Sequence, residues 1–130
     1  MVFVMTKILA TGASGFVGRA LCATLTQAGF EVLAAVRQSI PEYSVPQMIV
    51  EIGAANTSWR KALQGVDTII HLAARVHVMI ESEQDALLKY REINVQGTEH
   101  LARSAAANGV KRFVFVSSIK VIGEIGRAHV

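Results

Sequence analysis

Lys7–Arg19 reads KILATGASGFVGR, an apolar run that stops at Thr11 and passes through a glycine-punctuated turn into residues spaced as on an amphipathic helix. A strand, a turn and a helix in that order make an anion site, because the first helical amides lack intrahelical acceptors and the positive end of the helix dipole points back at the turn. The glycines of T-G-x-x-G-x-x-G divide the work. Gly12 lets the backbone leave the strand sharply, Gly15 lets main-chain amides approach a pyrophosphate with no Cβ in the way, and Gly18 permits close packing of helix on sheet.

Outward from this turn, strand and helix signals alternate. Ile8–Ala10 read as a first strand, and Phe16–Ala28 as a helix stopped by Gly29. Val32–Val36 form a continuous apolar run of the kind buried on both faces of a sheet. Both prolines fall in a loop between Arg37 and Gln47, after which Met48–Ile52 read as a third strand. Thr57 or Ser58 is expected to cap a short helix through Leu63, ended by Gly65, and Thr68–Leu72 are the fourth strand. Glu83–Asn108 read as one long helix with Asn108-Gly109 as its stop, followed by a fifth strand at Arg112–Val116. This alternation predicts right-handed crossovers and an α/β, doubly wound parallel sheet, truncated after about the fifth strand.

Composition narrows the function classes. A chain of 130 residues, 52% hydrophobic, supports a single core-bearing domain and is too apolar for disorder over most of its length. The net charge of +3 and pI of about 9.4 come from scattered Lys and Arg, with no aromatic-interleaved basic stripe, which argues against nucleic acid and fits a polyanionic small ligand. Cys22, the single cysteine, falls on the inward face of the first helix as a small core residue, and no intrachain disulfide is available, which suits a reducing cytoplasm. No uninterrupted apolar span approaches the roughly 20 residues of a membrane helix. The chain is expected to be cytoplasmic, with no membrane partner and no metal.

Together with GVDTIIHLAA (Gly65–Ala74), NVQGT (Asn94–Thr98) and VKRFVFVSS (Val110–Ser118), the opening turn resembles the extended short-chain dehydrogenase/reductases, the nucleotide-sugar epimerase and dehydratase family. Its first two glycines stand one residue farther apart than in the Rossmann fingerprint G-x-G-x-x-G. The resemblance runs from about Lys7 to Gly123 and implies an incomplete NAD(P)-binding Rossmann domain over residues 1–123, with the substrate domain absent. Residues 124–130, EIGRAHV, depart from the family pattern; one codon set for them matches read-through into a common sequencing adapter, so they are expected to be a non-native tail.

The resemblance also implies a set of contacts. Gly12, Ser14, Gly15, Phe16, Val17 and Gly18 would meet the pyrophosphate, and Glu51 and Ile52 would lie beside the adenine. Leu72, Ala73 and Ala74 would run close to the pyrophosphate and nicotinamide ribose, with Asn94 and Ser117 completing the cofactor site. Where an NAD-using member carries Asp or Glu at the end of the second strand, this chain has Val36 followed by Arg37. A guanidinium binds a 2′-phosphate with two charge-assisted hydrogen bonds, so NADP is favoured over NAD. Ser118 aligns with the catalytic Ser/Thr that hydrogen-bonds the reacting sugar oxygen, and Arg75 and His77 would approach the substrate phosphates. His71 is read as a satisfied core or rim histidine.

Dehydratases of the family carry Asp-Glu after the catalytic hydroxyl, whereas Ile119 and Lys120 stand here and cannot serve as that acid and base. The resemblance therefore implies a nucleotide-sugar 4-epimerase or 4-ketoreductase of surface-polysaccharide sugar biosynthesis, homodimeric at full length. The family's Tyr-x-x-x-Lys pair is missing: Gln47 follows Tyr43 by four residues, and Asn94 follows Tyr90 by four. The fragment by itself is accordingly expected to be inactive. The alternative is a non-catalytic NADP-binding sensor or interaction module of the same fold.

Overall fold

The computed structural model describes residues 5–51, 57–73, 85, 87–88 and 91–116. Five strands, β1 (Lys7–Thr11), β2 (Glu31–Val36), β3 (Gln47–Ile49), β4 (Thr68–His71) and β5 (Arg112–Phe115), form one sheet in the order β3-β2-β1-β4-β5. Every pairing is parallel, with Ala10 opposite Ala34 on one side and Ile70 on the other. The strand order reverses at β1, so the carboxyl ends of β1 and β4 border the crevice in which open parallel sheets bind ligands.

Alternation along β1 explains the two-sided core. Leu9 joins Trp59, Leu63, Ile69, Leu101 and Ala105 on one face of the sheet. Ala10 joins Ala13, Cys22, Val32, Val36 and Val45 on the other, beneath helix α1 (Phe16–Gln27). Cys22 is buried as expected, and burial pushes its thiol pKa up, which keeps it protonated and unreactive.

Three expectations are corrected. The short helix from Thr57 or Ser58 to Leu63 is absent: residues 60–65 form a turn closed by the Leu63 amide on the Trp59 carbonyl at 2.9 Å. Thr57 does not cap it, because its hydroxyl donates to the Glu51 carbonyl, and the buried side chains of Trp59, Ala62 and Leu63 fix the turn by packing. The third strand ends at Ile49, although the Val50 amide still reaches the Val36 carbonyl at 2.8 Å. The long helix is not uniformly α-helical. Its described part widens into a π-helical segment at Arg91–Gly97 before helix α2 (Thr98–Ala107). The wider turns reset the phase of α2, so that Leu101 and Ala105 enter the core and Thr98 reaches β4.

Candidate functional site

The turn after β1 is built by two glycines that the chain itself requires. Gly12 has φ +66°, and a Cβ there would lie 2.7 Å from the Ala73 amide nitrogen and the Leu72 carbonyl carbon. It therefore permits both a left-handed backbone and close approach of the segment after β4. At Gly18 a Cβ would stand 2.3 Å from the Gly12 carbonyl oxygen and 2.7 Å from Ala13 Cα. The close packing expected of helix on sheet is thus packing of the helix on its own entry turn.

Gly15 differs from both. Its backbone is extended (φ −76°, ψ 175°), and the nearest atom to a Cβ would be the Gly12 carbonyl oxygen at 3.5 Å, an ordinary contact. Nothing among the described residues demands a glycine there. Gly15 is also the N-cap of α1, with no side-chain cap bond, at the helix end where amides lack intrahelical acceptors. Ser14, Phe16 and Val17 are exposed around it, Phe16 at 93%.

The second strand's loop is tied to this turn through contacts invisible in the sequence. Tyr43 donates its hydroxyl to the Ala13 carbonyl at 2.9 Å, Arg19 Nε donates to the Ser14 carbonyl at 2.9 Å, and the Arg19 guanidinium lies 5.8 Å from the Tyr43 ring centroid. Burial, reinforced by a hydrogen bond with Cys22, pushes the Tyr43 pKa up to about 12, so the phenol stays a donor. No local pattern could have announced the Tyr43–Ala13 bond, which spans thirty residues.

Across the crevice, Thr11 and His71 set the segment after β4. The Leu72 and Ala73 amides each donate to Thr11 Oγ1 at 3.1 Å, and Thr11 Oγ1 lies 2.6 Å from His71 Nδ1. His71 Nε2 lies 2.9 Å from Thr98 Oγ1 of α2. The imidazole is 1% exposed, with the Phe113 and Phe115 rings 5.9 and 6.1 Å away, and burial lowers its pKa to about 4. Of the core or rim positions expected from sequence it takes the core one, with both nitrogens engaged.

Of the other predicted site residues, Arg37 is exposed just past β2 and Glu51 is exposed beyond β3, so both stand on the carboxyl rim of the sheet. Asn94 is half-buried in the π-helical segment. Ile52, Ala74, Arg75, His77, Ser117 and Ser118 lie outside the described residues. The structure thus brings Gly12–Gly18 together with Leu72 and Ala73 and sets Arg37 and Glu51 on the same edge. Among the described residues no cluster of side chains could hold a metal ion, and no helix is long and apolar enough to cross a membrane.

Comparison with known proteins decides the lineage. The model of the NAD dependent epimerase/dehydratase family matches residues 8–128. The chain belongs to that family. A UDP-glucose 4-epimerase of Vibrio cholerae is 42% identical over 121 residues, covering 91% of this chain and 36% of the relative. A 3-beta-hydroxysteroid dehydrogenase of Mycolicibacterium neoaurum is 33% identical over 120 residues, covering 89% of this chain and 33% of the relative. The chain spans about a third of the length of these curated relatives. Among solved structures, MoeE5 in complex with UDP-glucose and NAD superposes with a TM-score of 0.77 at 29% identity, covering 92% of this chain and 39% of that one. The five-stranded parallel sheet is the Rossmann-like sheet of this family, and such neighbours bind NAD.

Proposed function

We propose that this chain is the N-terminal, cofactor-binding part of an NAD(P)-dependent nucleotide-sugar 4-epimerase or 4-ketoreductase. The observation that carries the reading is Gly15: Gly12 and Gly18 are required by internal packing, whereas a Cβ at Gly15 would meet nothing closer than an ordinary 3.5 Å contact among the described residues, so internal packing does not call for a glycine there. A pyrophosphate needs clearance there, and the start of α1 offers it amides and a positive dipole end. The relatives that bind NAD and act on UDP-sugars support the same ligand class.

In this reading the turn Gly12–Gly18 cradles the pyrophosphate, and Leu72, Ala73 and Ala74 wall its other side. Glu51 and Ile52 flank the adenine, and Asn94 and Ser117 complete the cofactor site. Arg37 pairs with a 2′-phosphate, so NADP is preferred. The nicotinamide, when bound, supplies the hydride acceptor or donor. Ser118 hydrogen-bonds the sugar oxygen at the reacting carbon, and Arg75 and His77 bind the substrate's phosphates. The full-length protein is a cytoplasmic homodimer acting on sugars destined for surface polysaccharide.

Titration of the chain with NADH and NADPH tests the core of the reading. Both reduced cofactors bind, NADPH more tightly, and Gly15→Val weakens both by about a hundredfold or more while the unfolding transition persists. Unimpaired binding by a folded Gly15→Val protein would overturn the phosphate-cradle assignment.

A further inference from the structure

Thr11 carries one hydroxyl proton and two acceptor lone pairs. Both lone pairs are engaged by the Leu72 and Ala73 amides, which can only donate; the Leu72 amide is shared with the Thr11 carbonyl oxygen at 3.3 Å. The hydroxyl proton must therefore point at the remaining neighbour, His71 Nδ1, 2.6 Å away. Nδ1 then accepts, and a neutral imidazole with a bare Nδ1 carries its proton on Nε2, which faces Thr98 Oγ1 at 2.9 Å. The donor directions of the whole chain follow: Nε2–H to Thr98, Thr11 O–H to Nδ1, and the two amides to Thr11.

We propose that His71 is a positioning residue for the dinucleotide, held as the neutral Nε2–H tautomer so that Thr11 keeps both lone pairs for the Leu72 and Ala73 amides and the segment after β4 is tied to the first turn of α2. The proposal rests on the cofactor reading given above, in which Leu72 and Ala73 wall the pyrophosphate site. A doubly protonated His71, or the other tautomer, would present N–H to Thr11 and force its hydroxyl to accept a third donor. One amide would then lose its bond to Thr11 Oγ1, loosening the segment after β4 against Gly12, with the Leu72 amide left on the Thr11 carbonyl. Among the described residues, the groups facing the ring are Thr11 from β1, Thr98 from α2 and Phe113 and Phe115 from β5, none of them charged. Burial, which lowers the pKa to about 4, acts in the same direction by excluding the cation.

Two measurements on the full chain test this. The first is the ¹⁵N resonance pattern of the His71 ring at pH about 5.5, where an unperturbed imidazole is mostly cationic. It shows a bare Nδ1 and a protonated Nε2, with the Leu72 and Ala73 amides protected from exchange. The second is NADH affinity across variants. His71→Phe and Thr11→Val each weaken binding about tenfold, and the double variant weakens it no further, because the two act through one set of bonds. His71→Asn places a carbonyl oxygen near the Nδ1 position and recovers most of the affinity, which a purely space-filling role would not allow. If wild type fails to bind NADH, the cofactor reading falls and this proposal with it. If wild type binds and folded His71→Phe binds equally well, if Asn rescues no better than Phe, or if Nδ1 carries the proton, the positioning role alone is overturned.

Discussion

Two segments face one another across the crevice, and they hold their shapes by different means. The turn Gly12–Gly18 takes its shape mainly from within, a left-handed glycine, a helix entry and a glycine beneath that helix, all within seven positions, with Tyr43 as an outside brace on Ala13. The segment after β4, by contrast, is held by groups sixty residues upstream and twenty-seven downstream, through Thr11 and Thr98 on either side of His71. Steric exclusion shapes the first and hydrogen-bond direction shapes the second. Local sterics are insensitive to pH and intolerant of a methyl group, whereas a buried imidazole network tolerates changes of shape and fails when its proton count changes.

The largest expected effect breaks the first segment. Gly18→Val would drive a branched side chain into the Gly12 carbonyl oxygen, an immovable backbone atom 2.3 Å from the new Cβ. We expect a loss of about 3 kcal/mol or more in denaturant unfolding, at the upper end of overpacking penalties. Gly15→Val, three residues away in the same turn, should shift stability by only about 1 kcal/mol or less while costing about 2.7 kcal/mol of NAD(P)H affinity, the equivalent of a hundredfold. Equal destabilisation by the two substitutions would erase the distinction between the internally required glycine and the one proposed to face the ligand.

The second segment breaks with acid. His71 has a folded pKa of about 4 against an ordinary value of 6.5, so the unfolded chain takes up the proton first. The associated stability is fully present above pH 6.5, declines as pH falls, and is exhausted below about pH 4. By roughly pH 5 the loss amounts to about 2 kcal/mol. Unfolding free energies measured across this window should show that slope in wild type, and His71→Asn should flatten it. A wild-type profile level between pH 7 and 5 would contradict the burial of a neutral ring.

Arg37→Ala gives the smallest effect and the sharpest one for cofactor choice. Exposed past β2, Arg37 contributes little to the fold, so stability should change by no more than about 0.5 kcal/mol. NADPH affinity should fall about tenfold with NADH affinity nearly unchanged, an effect of about 1.4 kcal/mol confined to the 2′-phosphate. Paired titrations of both cofactors check this, and equal losses for the two would remove Arg37 from the phosphate contact.

The sequence by itself determined the alternation of strand and helix, the parallel sheet and the glycine-punctuated turn. Those follow from hydrophobic period and glycine sterics, which act between residues a few positions apart. It placed Cys22 in the core for the same reason, an apolar context readable residue by residue, and left His71 between core and rim. It overreached where local signals were ambiguous. Thr57 carries the chemistry of a helix cap, but no helix follows it and its hydroxyl donates to the Glu51 carbonyl, and the periodic stretch ending at Ala107 gave no sign that Arg91–Gly97 would widen. The tertiary structure alone decided that Tyr43 would brace the turn through Ala13, and that Thr11, His71 and Thr98 would share one run of protons. A hydroxyl's partner is settled by strand register and helix phase, which place atoms from distant parts of the chain within 3 Å of each other, and no pattern in neighbouring residues records that distance.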